Sequence, residues 1–143
     1  MPKHCATLAV FCLALMAAPT YAQQCLHGDG ETAEQTARRR LALTATRNIN
    51  NIQANQPGAL KGQFLRHDQL SNSPFALKMR ESNNEAVKSM SLEPGTDVLP
   101  DWQLTLNVTE QGYWFMIKDR TDPCGFAFIS NQQGLIFRAE PIR

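Results

Sequence analysis

The chain has 143 residues and a formal net charge of +1, with 43% hydrophobic and 19% charged residues. A near-neutral balance of this kind excludes a general polyanion binder, and the hydrophobic content is ordinary for one globular core.

The first 22 residues read as an export signal. Lys3 and His4 precede an apolar run from Ala6 to Ala18, followed by Pro19 and the small-residue ending Thr20-Tyr21-Ala22. That is the layout of a secretory signal peptide over residues 1–22, with cleavage after Ala22. Its apolar run is too short for the roughly 20 residues that cross a bilayer as a helix. No later stretch approaches transmembrane length. Residues 23–143 are therefore expected to form a single domain, soluble and secreted or periplasmic. Loss of Lys3 would leave its 13 acidic residues matched by as many basic ones.

Cys5 and Cys12 leave with the signal peptide, so Cys25 and Cys124 remain. In an exported chain such a pair favours a disulfide over free thiols. The bridge would close a loop worth about 4–5 kcal/mol in the chain-entropy model. A redox or metal role is the rival reading, and it lacks a C-x-x-C motif.

Thr32 to Asn55 is the most legible stretch. Ala33, Ala37, Leu41, Ala45, Ile49 and Ile52 recur at spacings of three or four, which predicts one apolar helical face. Thr32 suits the N-cap, Glu31 and Glu34 complement the positive end of the helix dipole, and Pro57-Gly58 ends the run. Arg38-Arg39-Arg40 spans too much of the circumference to share that face. It reads as solvated surface helped by a Glu34–Arg38 pair, or as an anion or headgroup patch. Residues 58–100 show scattered apolar positions without a sustained period. Short helices are expected from Pro74 to about Glu81 and over Glu85 to Met90, packed on the sheet.

From Trp102 onward the pattern becomes that of strands. Leu104, Leu106 and Val108 alternate with Gln103, Thr105, Asn107 and Thr109, which predicts a strand over 103–109. Further strands are predicted over Tyr113 to Lys118, Phe126 to Ser130 and Leu135 to Ala139, separated by the turn sequences Glu110-Gln111-Gly112, Asp122-Pro123-Cys124-Gly125 and Asn131-Gln132-Gln133-Gly134. Such short connections favour an antiparallel meander. Tyr113, Phe115 and Ile117 share one face while Trp114 and Met116 take the other, so both faces of the central strands are expected to be covered, one by the long helix and the other by residues 58–100 or a partner. The fold class is thus α+β, a long N-terminal helix packed on a four-stranded antiparallel meander.

No nucleophile–base motif, zinc-protease motif, phosphate loop or dinucleotide fingerprint is present in the sequence, so an enzyme is not expected, nor a cofactor or a nucleic-acid partner. Cys25, His27, Asp29 and Glu31 alternate but match no established metal spacing. Asp119 and Asp122 flank a turn and offer oxygens for weak calcium binding or for capping the turn before Cys124. His67-Asp68 is an adjacent pair without a nucleophile. Asn107-Val108-Thr109 has the form of a glycosylation acceptor inside a strand.

The order of a long helix, a loop region and a meander resembles the globular part of type IV pilins and type II secretion pseudopilins. So does the run YWFMIKDRTDPCGFAFISNQQGLIFRAEP, where an aromatic strand leads to an Asp-x-Cys-Gly turn, a strand, a polar-Gly turn and a last strand. Two features depart from that family: an ordinary export signal and a polar helix replace the short basic leader and apolar filament helix, and the cysteine pair would join the helix entry to the sheet where pilin disulfides usually link two cysteines near the C-terminus. The resemblance implies a pilin-like soluble domain that is not a filament subunit. The function expected is that of an exported binding or accessory module with a protein partner, contacted through Trp102 or Trp114, with Met116 beside Trp114. The alternative is a small-ligand-binding or inhibitor module using the same surface.

Overall fold

The computed structural model describes residues 25–82 and 84–140, so the segment read as a signal peptide lies outside the described residues. Helix α1 runs from Ala33 to Asn55. It begins where Thr32 accepts a hydrogen bond from the Gln35 backbone N–H and the Gln35 side chain accepts one from the Thr32 backbone, a reciprocal cap that satisfies two otherwise orphaned donors. It ends at Gln56, whose extended backbone leads into Pro57-Gly58.

A 3-10 turn at Ala59–Lys61 and the short helices α2 (His67–Leu70), α3 (Pro74–Arg80) and α4 (Glu85–Lys88) follow. Ser73 caps α3 with Pro74 at its first turn, as the Ser-Pro sequence predicts.

The sheet has five strands in the order β1 (Asp97–Leu99), β2 (Trp102–Thr109), β3 (Gly112–Asp119), β4 (Ala127–Asn131) and β5 (Ile136–Ala139), every neighbouring pair antiparallel. The four-strand expectation is corrected by β1. Its three residues are too few to show alternation, and Pro94-Gly95 and Pro100 frame them as loop. The turn from β1 to β2 places Asp101 at φ 67°, a left-handed conformation that aspartate tolerates better than most residues.

The core lies between α1 and the sheet face carrying Trp102, Leu104, Tyr113, Phe115, Ile117, Phe126 and Phe128. Residues 58–100 complete this same layer. Phe64 packs edge-on against Tyr113, Leu70, Ala76, Leu92 and Val98 join the core, and Gln53 of α1 exchanges two hydrogen bonds with the Leu65 backbone. The expectation that residues 58–100 cover the second sheet face is therefore corrected. Helix and loop share one side, and nothing among the described residues is layered on the other.

The buried face of α1 is also rotated from the expected one. Leu41 is 42% exposed, whereas Ala42, Ala45, Thr46, Ile49, Asn50, Ile52 and Gln53 are buried. Hydrophobic spacing missed three of these because they are polar, but each is satisfied where it sits. Thr46 donates to the Ala42 carbonyl, Gln53 holds Leu65, and Asn50 donates to Ser130 while accepting from the Tyr113 hydroxyl. Buried polar groups with partners cost little.

Candidate functional site

Strand alternation sets up the open face. With Tyr113, Phe115 and Ile117 directed into the core, Trp114, Met116 and Lys118 of β3 must stand on the opposite side. Cross-strand register then fixes their neighbours. Met116 lies between Thr105 of β2 and Ile129 of β4, and Ile129 is followed by Phe137 of β5. Trp114 lies between Asn107 and Asn131. The outcome is an apolar row, Met116–Ile129–Phe137, with an indole one step along β3. Trp114 is 42% and Phe137 52% exposed, and Met116 and Ile129 are half-buried. Side chains this large are unusual in such exposure when they adjoin one another.

The two tryptophans are thereby separated. Trp102 is 1% exposed, stacked on Phe128 at 6.4 Å and 18°, edge-on to Phe126 and 5.4 Å from His27. It cannot extend a surface patch, so its assignment to a partner surface is corrected to a core role. Its parity with Leu104, Leu106 and Val108 on β2 carried that information. Ile129 and Phe137, which the sequence reading did not propose, stand opposite Phe128 and Arg138 in the same alternation.

A second polar site sits where the segment before α1 meets the end of β3. The Cys25–Cys124 disulfide joins the two regions. Beside it His27 is buried, with Nδ1 3.0 Å from Glu31 Oε1 and Nε2 2.9 Å from Asp119 Oδ2. Arg39 grips Glu31 with two hydrogen bonds of 2.7 and 2.8 Å, and Thr36 donates to the same carboxylate. Arg38 approaches Asp119 at 3.5 Å and Asp101 at 3.6 Å. Arg38 and Arg39 are thus engaged within the fold, not in the free surface expected of the triple-arginine run.

The hydrogen bond from Arg39, with those from His27 and Thr36, brings the Glu31 carboxyl down to about 2 despite its burial. For Asp119, burial pushes the carboxyl up, but hydrogen bonds from Thr121 and His27 and the charge of Arg38 outweigh it and hold the group below the usual carboxylate range.

This junction is built for cohesion. Asp119 accepts from the Thr121 backbone N–H and hydroxyl, and Asp122 accepts from the backbone N–H groups of Leu26, Cys124 and Phe126. Their oxygens cap the turn and tie down the chain around the disulfide. Among the described residues no group of three His, Cys, Asp or Glu side chains is arranged to hold a metal ion. A cavity of about 380 Å³ opens beside His27 and Glu31, but the Arg39 and Arg138 guanidinium groups on its wall are paired with Glu31 and Glu140. His67, likewise, pairs with no nucleophile among the described residues; burial lowers its imidazole below the usual histidine range.

Comparison with protein-family models, with curated proteins and with solved structures returns no match. No helix among the described residues is long and apolar enough to cross a membrane.

Proposed function

We propose that the chain is an exported, pilin-like accessory module that binds a protein partner through the open face of its sheet. The observation that carries this reading is the exposure of Trp114 beside the Met116–Ile129–Phe137 row, on a sheet face over which nothing among the described residues is layered. Apolar patches of this kind on otherwise well-packed domains mark contact sites, and tryptophan is enriched among the residues that anchor them. The disulfide fits an oxidising compartment, in keeping with export.

The test compares wild-type protein with Trp114→Ala and Phe137→Ser, each immobilised and exposed to the envelope fraction of the source cell. A partner retained by wild type and lost by both variants, at unchanged melting temperature, supports the reading. Identical capture by all three removes the outer face as the contact surface. N-terminal sequencing of exported protein tests the export step, which predicts Gln23 as the first residue.

A further inference from the structure

The two edges of the sheet are treated differently. β5 is four residues long, carries Arg138, and is followed by Glu140 and Pro141. Short length, charge and proline are the usual means by which an edge strand is kept from pairing. The opposite edge lacks them. β1 pairs only with Trp102 and Gln103, so Leu104 to Thr109 of β2 is bonded to β3 on one side alone. No backbone hydrogen bond joins that stretch to any other segment among the described residues. The sequence there, Leu-Thr-Leu-Asn-Val-Thr, contains no charge, proline or glycine.

We propose that this free edge pairs with the same edge of a second copy, antiparallel about a two-fold axis at Asn107, to give a continuous ten-stranded sheet. A row of N–H and C=O groups paired only with water is a template for another extended backbone, and a second copy supplies one that matches without repulsion. Directly opposed residues share a sheet face. The core-facing residues 104, 106 and 108 must therefore meet even-numbered residues, and the outward residues 105, 107 and 109 must meet odd ones.

Two symmetric registers keep five pairs, centred on Leu106 or on Asn107. The first sets Glu110 opposite the partner's Trp102, where β1 already pairs. The second sets Glu110 opposite the partner's Leu104, the first position that β1 leaves free. In that register Thr105 meets the partner's Thr109, Asn107 meets its own copy, and Leu106 meets the partner's Val108. Leu106 and Val108 are half-buried at the edge of the core, so this contact closes the core across the seam. Such a seam is small beside standard interfaces, so the dimer is a concentration-dependent one. It concerns the strand edge and not the outer face, and stands whether or not Trp114 meets a partner.

Sedimentation velocity on oxidised residues 23–143, from micromolar to millimolar protein, is the test. Wild type is expected to pass reversibly from monomer to dimer. Thr105→Lys with Thr109→Lys places lysines opposite lysines on the solvent side and should raise the dimer dissociation constant at least about tenfold. Thr105→Lys with Thr109→Glu opposes unlike charges in the proposed register and should restore dimerisation. Both positions are exposed, and circular dichroism checks that each variant is folded. As an independent measure, amide exchange of Leu104 to Thr109 in wild type should slow as protein concentration rises. A wild type that stays monomeric throughout, variants that behave alike, or an edge that takes up only a strand of another protein would overturn the proposal.

Discussion

His27 Nε2 lies 2.9 Å from Asp119 Oδ2, across 92 residues of sequence, and both side chains are almost wholly buried. With Glu31 on the other ring nitrogen, one imidazole joins the approach to α1 and the end of β3.

Removing that ring should be costly. His27→Ala strips a buried partner from two carboxylates at once, and the expected loss is about 2–4 kcal/mol of unfolding free energy. Urea denaturation of the oxidised protein measures it. A loss below about 0.5 kcal/mol would mean that Arg38, Arg39 and the threonines hold both carboxylates unaided.

Acid should unfold the protein through Glu31. Its folded carboxyl is held at about 2 against an ordinary 4.5, so it contributes stability that is complete above that ordinary value. The contribution, roughly 3 kcal/mol, is lost as the pH falls between about 4.5 and about 2. Asp119, also depressed, acts in the same direction. Glu31→Gln should flatten the stability curve across this window; an unchanged slope would assign the acid dependence elsewhere.

At the alkaline end, Tyr113 becomes a reporter. The sequence holds two tyrosines, Tyr21 and Tyr113, so a chain that starts at Gln23 contains Tyr113 alone. Burial pushes its phenol up to about 12. Ultraviolet titration of native protein should therefore show no tyrosinate near pH 10, and the folded state should lose stability as the pH rises beyond the phenol's ordinary value. Tyr113→Phe, which frees Asn50 of one bond, should cost about 1 kcal/mol.

Cys124→Ala opens a loop with a sequence separation of 99 and should cost about 4–5 kcal/mol. Reduction of the wild type should lower the melting temperature to the same degree as the substitution. Two thiols that alkylate readily in oxidised native protein would contradict the bridge in solution.

Much of this architecture was legible in the sequence because local rules and tertiary packing agree. Thr32 caps where its position before the apolar run predicts, four strands fall where alternation places them, and Cys25 meets Cys124. The rotation of α1 away from its expected face has one cause, that burial does not follow hydrophobicity alone. Asn50 and Gln53 are buried because each finds a partner far along the chain, and Leu41 is exposed because the helix turns to admit them. Residues 58–100 take their place beside α1, so nothing among the described residues covers the face of Trp114 and Met116. The His27–Asp119 contact has no local signature at all, since neither residue's neighbours announce the other.

The disulfide also decides how the domain would carry load. Tension entering before Cys25 and leaving past β5 passes through the covalent bridge, bypassing α1 and the first three strands. Ninety-nine residues of sequence separation, roughly 340 Å of extended chain, are thereby kept from lengthening. Only β4 and β5, which follow Cys124, can be drawn out, and their release would uncover Phe126 and Phe128 against Trp102. Under pulling, the oxidised protein is a short tether with a long reserve, and a reductant is what would release that length.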